Sequence, residues 1–493
     1  MKKKISINII FSVMLQVVAI INSFVVSKVT ITYFGSSING LVASINQFLN
    51  YISLLEGGVG AVVMANLYKP LYENDEVKIA EIIYSSKKFF KKIILIFFIY
   101  TIFISFIFPV ITDSPLDYKN TILLVWILSI SLCAQYFYAI SYKILLQADH
   151  KLYICCIVQI IAYILNVILI FISCCINNDI IILKLFSSIA FLLQPILYTL
   201  FVKKYYNFSL KINAFYKLKG RWDGFFQNLS YFINNNTDIV LLTMMIGLNE
   251  VSVYAVYMLV VNGMKSVIIS ISSGFQSILG RKIAADNKED LYSFFKEYSL
   301  IILYISLIGF SLVVLFIRQF VCVYVGDADY SYNRVLFPIL IAFSQLIICI
   351  REPLNLIINS ANKFKETNFG AFLESFINIF ISILLVKKLG LTGVAIGTLV
   401  ASIIRLIYFI FYLNKHIIFI EYRDLIKPLI LIVICLSLVS ILYFKIEILV
   451  SGWISLIKIS FLFGIGISIC YSVFCFLIWP KEFLLLIKNK SNN

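Results

Sequence analysis

The chain has 493 residues, of which 61% are hydrophobic and only 13% charged, and its formal net charge is +16. That apolar fraction excludes a soluble globular domain and marks an all-α integral membrane protein. The basic excess is no argument for nucleic acid, because Lys and Arg in a polytopic protein are distributed by topology.

Taken in order, the basic start Met1 to Lys4 leads into an apolar run over about 8–34. The run is too long for a signal peptide and lacks a small-residue cleavage site, so it reads as a retained first span. The chain then turns at Gly35 and begins a second span carrying Asn39, Asn46, Gln47, Asn50 and Glu56. Polar side chains are costly in hydrocarbon unless they face protein or a water-filled cavity, which makes this hairpin a candidate pathway lining. Further spans read at about 93–111, 120–142, 152–176, 181–202, 224–246, 250–278, 299–317, 335–358, 367–386, 391–412, 426–444 and 453–479, each near the ~20 residues needed to cross. The expectation is about 14 transmembrane helices.

Alternate connections differ sharply in charge. One set holds 29 Lys and Arg, and the other holds six: Lys119, Arg318, Arg334, Lys387, Lys388 and Lys445. The positive-inside rule then puts both termini in the cytoplasm. At an offset of 212 residues Gly35 falls on Gly247, Asn50 on Asn262, Lys69 on Arg281, Lys151 on Lys363 and Asn166 on Asn378. These matches favour two six-helix bundles, 1–212 and 213–424, related by an internal repeat, followed by two additional helices and a tail at 425–493. The ten cysteines form no C-x-x-C and read as small buried hydrophobes, so no metal set is expected. No P-loop appears, so ATP does not drive the chain directly.

Three stretches carry a family resemblance: YFGSSINGLVASINQFLNYISLLEGGVGAVV, GFQSILGRKIAADNKEDL, and LGLTGVAIGTLVAS at 389–402. With the length and span layout, they resemble the polysaccharide transporter family of the multidrug/oligosaccharidyl-lipid/polysaccharide exporter superfamily. The resemblance implies a non-enzymatic flippase in the bacterial cytoplasmic (inner) membrane. It would turn undecaprenyl-diphosphate-linked oligosaccharide from the cytoplasmic to the periplasmic leaflet for O-antigen, capsule or other surface polysaccharide. Implied partners are that cargo, membrane lipids, and the polysaccharide polymerase and chain-length machinery. No cofactor is expected beyond a coupling cation, Na+ or H+. Relatives often carry a basic residue near the end of the second span, where Met64 and Asn66 stand here.

Such a job needs a polar, basic cavity for the diphosphate and sugar. Lys28, Lys265, Arg351 and Arg405 are the candidates for holding the anionic group. Glu56, Asp238, Glu352 and Glu374 are the acidic counterparts, for cation coupling or charge pairing, and Asn46, Asn50, Asn234, Asn235 and Asn262 are candidate polar lining. Each has a plainer reading. Lys184 and Lys458 should snorkel to headgroups, and Arg405, about two turns from the end of its span, could do the same. Lys265 could instead pair with Asp238, Arg351-Glu352-Pro353 could be a structural cluster at a proline kink, and the run Asn234 to Asp238 could make interhelical hydrogen bonds. The two additional helices are expected to form a lipid-facing groove or prop for the polyprenyl tail, similar to lipid II flippases. The alternative function is a cation-coupled drug exporter of the same superfamily, whose mostly cationic substrates fit a basic cavity poorly. A membrane-bound glycosyltransferase or polymerase would need catalytic carboxylates or a large outside loop.

Overall fold

The structure is a computed structural model and describes residues 2–56, 59–134, 140–176, 179–206, 225–275, 278–279, 282–283, 288–361, 363, 365–417, 422–445 and 450–480. Among these residues there is no strand; long apolar stretches satisfy their backbone groups internally as helices, as hydrocarbon requires. Among the described residues eleven helices are long and apolar enough to cross a membrane, and Tyr118–Ala134 is a shorter apolar one. The chain packs as two compact units, Met1–Ala255 with Ala328–Tyr330, and Val256–Asp327 with Ser331–Asn493.

The first unit begins with α1 (Lys2–Asn50), whose helix is interrupted at Gly35, where φ is 85° and ψ 172°. Only glycine adopts that backbone readily, so the turn read from the sequence is a true break between two segments. The second segment does not run on as one helix. It loosens at Tyr51 and Ile52 and continues as α2 (Ser53–Glu56) and α3 (Val59–Glu73). Then follow α4 (Glu76–Ile111), α5 (Tyr118–Ala134), α6 (Ile140–Ala148), α7 (Leu152–Ile176), α8 (Ile180–Tyr205), α9 (Phe225–Met245) and the start of α10 (Leu248–Ser273). Asp75 and Asp179 cap α4 and α8 by accepting from the backbone N–H groups of Lys78 and Ile181. The core is built from Leu41, Ile45, Leu49, Val63, Phe90 and Leu145, all fully buried.

The second unit takes the rest of α10, then α11 (Lys288–Val325), α12 (Leu336–Ile350), α13 (Glu352–Ser360), α14 (Asn368–Leu389), α15 (Leu391–His416), α16 (Tyr422–Lys445) and α17 (Trp453–Ile478). α14 packs closely on α15, α12 on α15 and α11, and both α16 and α17 on α11. Among the described residues each of the fourteen stretches read as spans contains helix, and the helix is broken near Tyr51 and at Arg351.

Two expectations change. Lys184 does not reach the headgroups; it is 3% exposed and donates to Thr30 Oγ1 at 3.3 Å. Asn39 and Gln47 do not line a pathway: Asn39 Nδ2 donates to Ser252 Oγ at 2.7 Å, and Gln47 Nε2 donates to Asn236 Oδ1. With Ser44–Thr243 at 2.7 Å and Ser37–Asn249 at 2.6 Å, they form polar rungs joining the second segment of α1 to α9 and α10 within the first unit. A helix face rich in amides can bury them against another helix as well as present them to water.

Candidate functional site

The second unit gathers five intramembrane charges. Lys265 stands on α10, seventeen residues after Leu248 and eight before Ser273. Arg351 and Glu352 stand where α12 gives way to α13; Pro353, the second residue of α13, cannot supply the N–H that would continue the ladder, so the helix is interrupted there. Glu374 comes from α14 and Arg405 from α15.

Glu374 is the hub. Its Oε1 accepts from Arg351 Nη1 at 2.6 Å, and its Oε2 lies 3.8 Å from Arg405 Nε. Arg405 is 5% exposed, its Nη1 donates to the Thr367 carbonyl at 2.9 Å, and its guanidinium lies 4.2 Å over the Phe409 ring. Arg405 is thus an anchored internal cation and does not snorkel. The fit depends on Gly370, where an added Cβ would lie 2.5 Å from Arg405 Nη1 and 2.4 Å from the Tyr408 ring.

Lys265 is half-buried and lies within electrostatic range of Cys349, Arg351, Glu352 and Glu374. Glu352 accepts from Asn355 Nδ2 at 3.3 Å, and Asn359 Nδ2 in turn donates to Asn355 Oδ1 at 3.4 Å, a ladder along one side of α13. Three cations against two carboxylates leave the group one positive charge in excess. Arg405 and one edge of Arg351 are committed to Glu374, so Lys265 and the rest of Arg351 are the donors available to an anionic ligand.

The other predicted site residues belong to the first unit, apart from Asn262. Asp238 is 4% exposed and accepts from the Tyr254 hydroxyl at 2.9 Å. Glu56 is half-buried and faces Lys143, and Lys28, Asn46 and Asn50 are half-buried. Asn234 and Asn235 lie on α9 with side chains outside the described residues. Asn262 is exposed on α10 in the second unit.

Sequence reading missed the Thr367 carbonyl, the Phe409 ring and the Asn355–Asn359 ladder. Phe409 four residues after Arg405, and Asn355 three after Glu352, are helical spacings that could have flagged the last two. Also unforeseen is which helices frame the apolar groove. It has a volume of about 940 Å³ and lies among α10, α11 and α17, lined by Val260, Met264, Gly309, Phe316, Phe461 and Gly464 among others.

Residues 225–380 match the family model MatE. No curated protein matches the chain. Among solved structures, the lipid II flippase MurJ in an inward closed conformation aligns with TM-score 0.69 at 16% identity, covering 95% of this chain and 98% of the flippase. An inward-facing multidrug resistance MATE transporter of the MOP superfamily aligns with TM-score 0.63 at 13% identity, covering 80% and 94%. The Vibrio cholerae MATE transporter VcmN in its bent form aligns with TM-score 0.58 at 14% identity, covering 84% and 98%. The chain is a multi-pass helical membrane protein with the fold of the multidrug/oligosaccharidyl-lipid/polysaccharide (MOP) superfamily of transporters.

Proposed function

We propose that the protein flips a polyprenyl-diphosphate-linked oligosaccharide across the bacterial cytoplasmic membrane by alternating access, for O-antigen, capsule or another surface polysaccharide. One observation carries the reading: α10 holds Lys265 beside the charge cluster and, on a different face, Val260 and Met264 lining the apolar groove. An amphiphile with an anionic head and a long apolar tail matches both. In this reading Lys265 and Arg351 receive the diphosphate, Glu374 and Arg405 aim Arg351, and the groove takes the tail, with α17 supplying one wall. A coupling cation, Na+ or H+, drives the cycle.

The test is to delete the gene in its host and analyse lipid-linked intermediates. An accumulating polyprenyl-diphosphate oligosaccharide, cleared by the intact gene and by Lys265→Arg in part but not by Lys265→Ala at normal protein level, supports the reading. No accumulation, or full clearance by Lys265→Ala, overturns it. The MatE match over 225–380 favours a second reading, a cation-coupled drug exporter. That reading predicts increased drug susceptibility in the deletion strain and no lipid intermediate.

A further inference from the structure

The connection from α11 to α12 leaves the second unit for three residues: Ala328–Tyr330 belong to the first unit, while Asp327 before them and Ser331 after them belong to the second. Within the first unit this insert is fastened at two points. Asp329 accepts from the Ser36 backbone N–H, at 2.9 Å to Oδ1 and 3.1 Å to Oδ2, and from the Ser36 hydroxyl at 2.5 Å. The Tyr330 hydroxyl donates to Glu250 Oε1 at 2.8 Å.

Ser36 opens the second segment of α1, so the carboxylate sits at a helix N-terminus, whose free N–H groups and dipole favour an anion. Gly35 makes room for it: an added Cβ there would lie 2.7 Å from Asp329 Oδ2. At the 212-residue offset Gly35 falls on Gly247, and Asp329-Tyr330 fall on Asp117-Tyr118. A Cβ on Gly247 would meet nothing within 4 Å among the described residues, and the Asp117 carbonyl instead accepts from the Thr121 N–H at 2.9 Å, at the start of α5. The seat is thus particular to Gly35 and Asp329.

The two ends of the connection are secured differently. Tyr332 is buried, and its carbonyl accepts from the Tyr257 hydroxyl at 2.9 Å, within the second unit. The insert has no such anchor in a core: Asp329 is exposed, and Ala328 and Tyr330 are half-buried. A segment held mainly by hydrogen bonds that water can replace opens at low cost.

We propose that residues 328–330 are a releasable latch: the Asp329 carboxylate, seated on the second segment of α1, fastens the α11–α12 connection to the first unit, and it must leave that seat for the end of the transporter at which α11 and α12 are joined to open. Tyr332 stays on Tyr257 as the fixed end. The latch belongs to the transport cycle whatever the cargo.

The Ser36 N–H reports release directly, because Asp329 is the acceptor that protects it. Its hydrogen exchange is measured by residue-resolved mass spectrometry on the full-length protein in lipid nanodiscs. Asp329→Ala should accelerate it about tenfold, the size of a lost helix cap, and Asp329→Asn, which keeps an acceptor but not the charge, about threefold. Asp327→Ala, next to the insert, should leave it unchanged. An unaltered rate in Asp329→Ala overturns the latch, as does wild-type protection at Ser36 as long-lived as that of the buried Leu41 and Ile45. A second measurement separates a latch from a permanent cap. Ser36→Cys with Asp329→Cys, bridged in cells by a short bis-methanethiosulfonate, should stop complementing the deletion strain and recover on reduction, with identically treated wild type unaffected. Full complementation by the bridged protein overturns the latch even where exchange is accelerated. Should the unbridged pair fail to complement, the exchange rates decide alone.

Discussion

The two units bury polar side chains among apolar helices with different partners. The first uses neutral ones: Asn166 Nδ2 donates to Asn22 Oδ1 at 2.8 Å, Ser86 and Ser141 share a bond of 2.9 Å, Ser44 and Thr243 one of 2.7 Å, and the buried Lys184 and Asp238 meet the hydroxyls of Thr30 and Tyr254. The second concentrates ions, with Glu374 between Arg351 and Arg405 and Lys265 beside them. Asn166 and Asn378, matched by the 212-residue offset, are both buried and hydrogen-bonded. Neutral rungs cost little to bury and hold helices together. A group of charges with a net excess costs far more to bury, and in the proposed function that excess receives the anionic group.

That contrast can be broken most directly at the hub. Glu374→Ala leaves two guanidinium groups without their carboxylate and should cost about 3–5 kcal/mol, read as a lowered unfolding midpoint of the purified protein in detergent. A loss no larger than that of a neutral rung would erase the difference between the units. Next, Gly370→Ala should push Arg405 or Tyr408 from place at a cost of about 1–3 kcal/mol, and Gly370→Val should be worse. An unshifted midpoint in both would mean that the guanidinium is not fixed.

In the first unit, a double-mutant cycle of Asn22→Leu and Asn166→Leu should return a coupling of only about 0.6 kcal/mol, with the double variant close to wild type. A coupling above about 2 kcal/mol would rank this pair with the charges. The smallest effect lies outside the membrane, at Glu366. Hydrogen bonds from Lys363 and Tyr412 hold its carboxyl below the usual glutamate range. A lowered native value means the stabilisation is present above the ordinary glutamate pKa and is lost as pH falls through the native one. Glu366→Gln should therefore leave stability unchanged at the acid end and slightly reduced near neutrality, in a pH series of unfolding midpoints. The reverse order would contradict the assigned sign.

The sequence by itself determined the membrane class, the helical spans and the break at Gly35. Those depend on local quantities: the apolar length of a segment, the backbone freedom of glycine and the missing N–H of proline. It also marked Lys265, Arg351, Glu352, Glu374 and Arg405 as charges too deep to ignore. Only the tertiary structure decided which of them meet. Helical spacing fixes the face on which a side chain lies but not the helix opposite, so Arg351 and Glu374, 23 residues apart, had no visible relation, and neither did Arg405 and the Thr367 carbonyl. The same limit explains Lys184. Its distance from the end of its span suggested that it could snorkel, yet the neighbouring helix brings Thr30 against it and closes the way to the surface. Whether a long cationic side chain reaches water or stays inside depends on what covers it, and that is a property of packing.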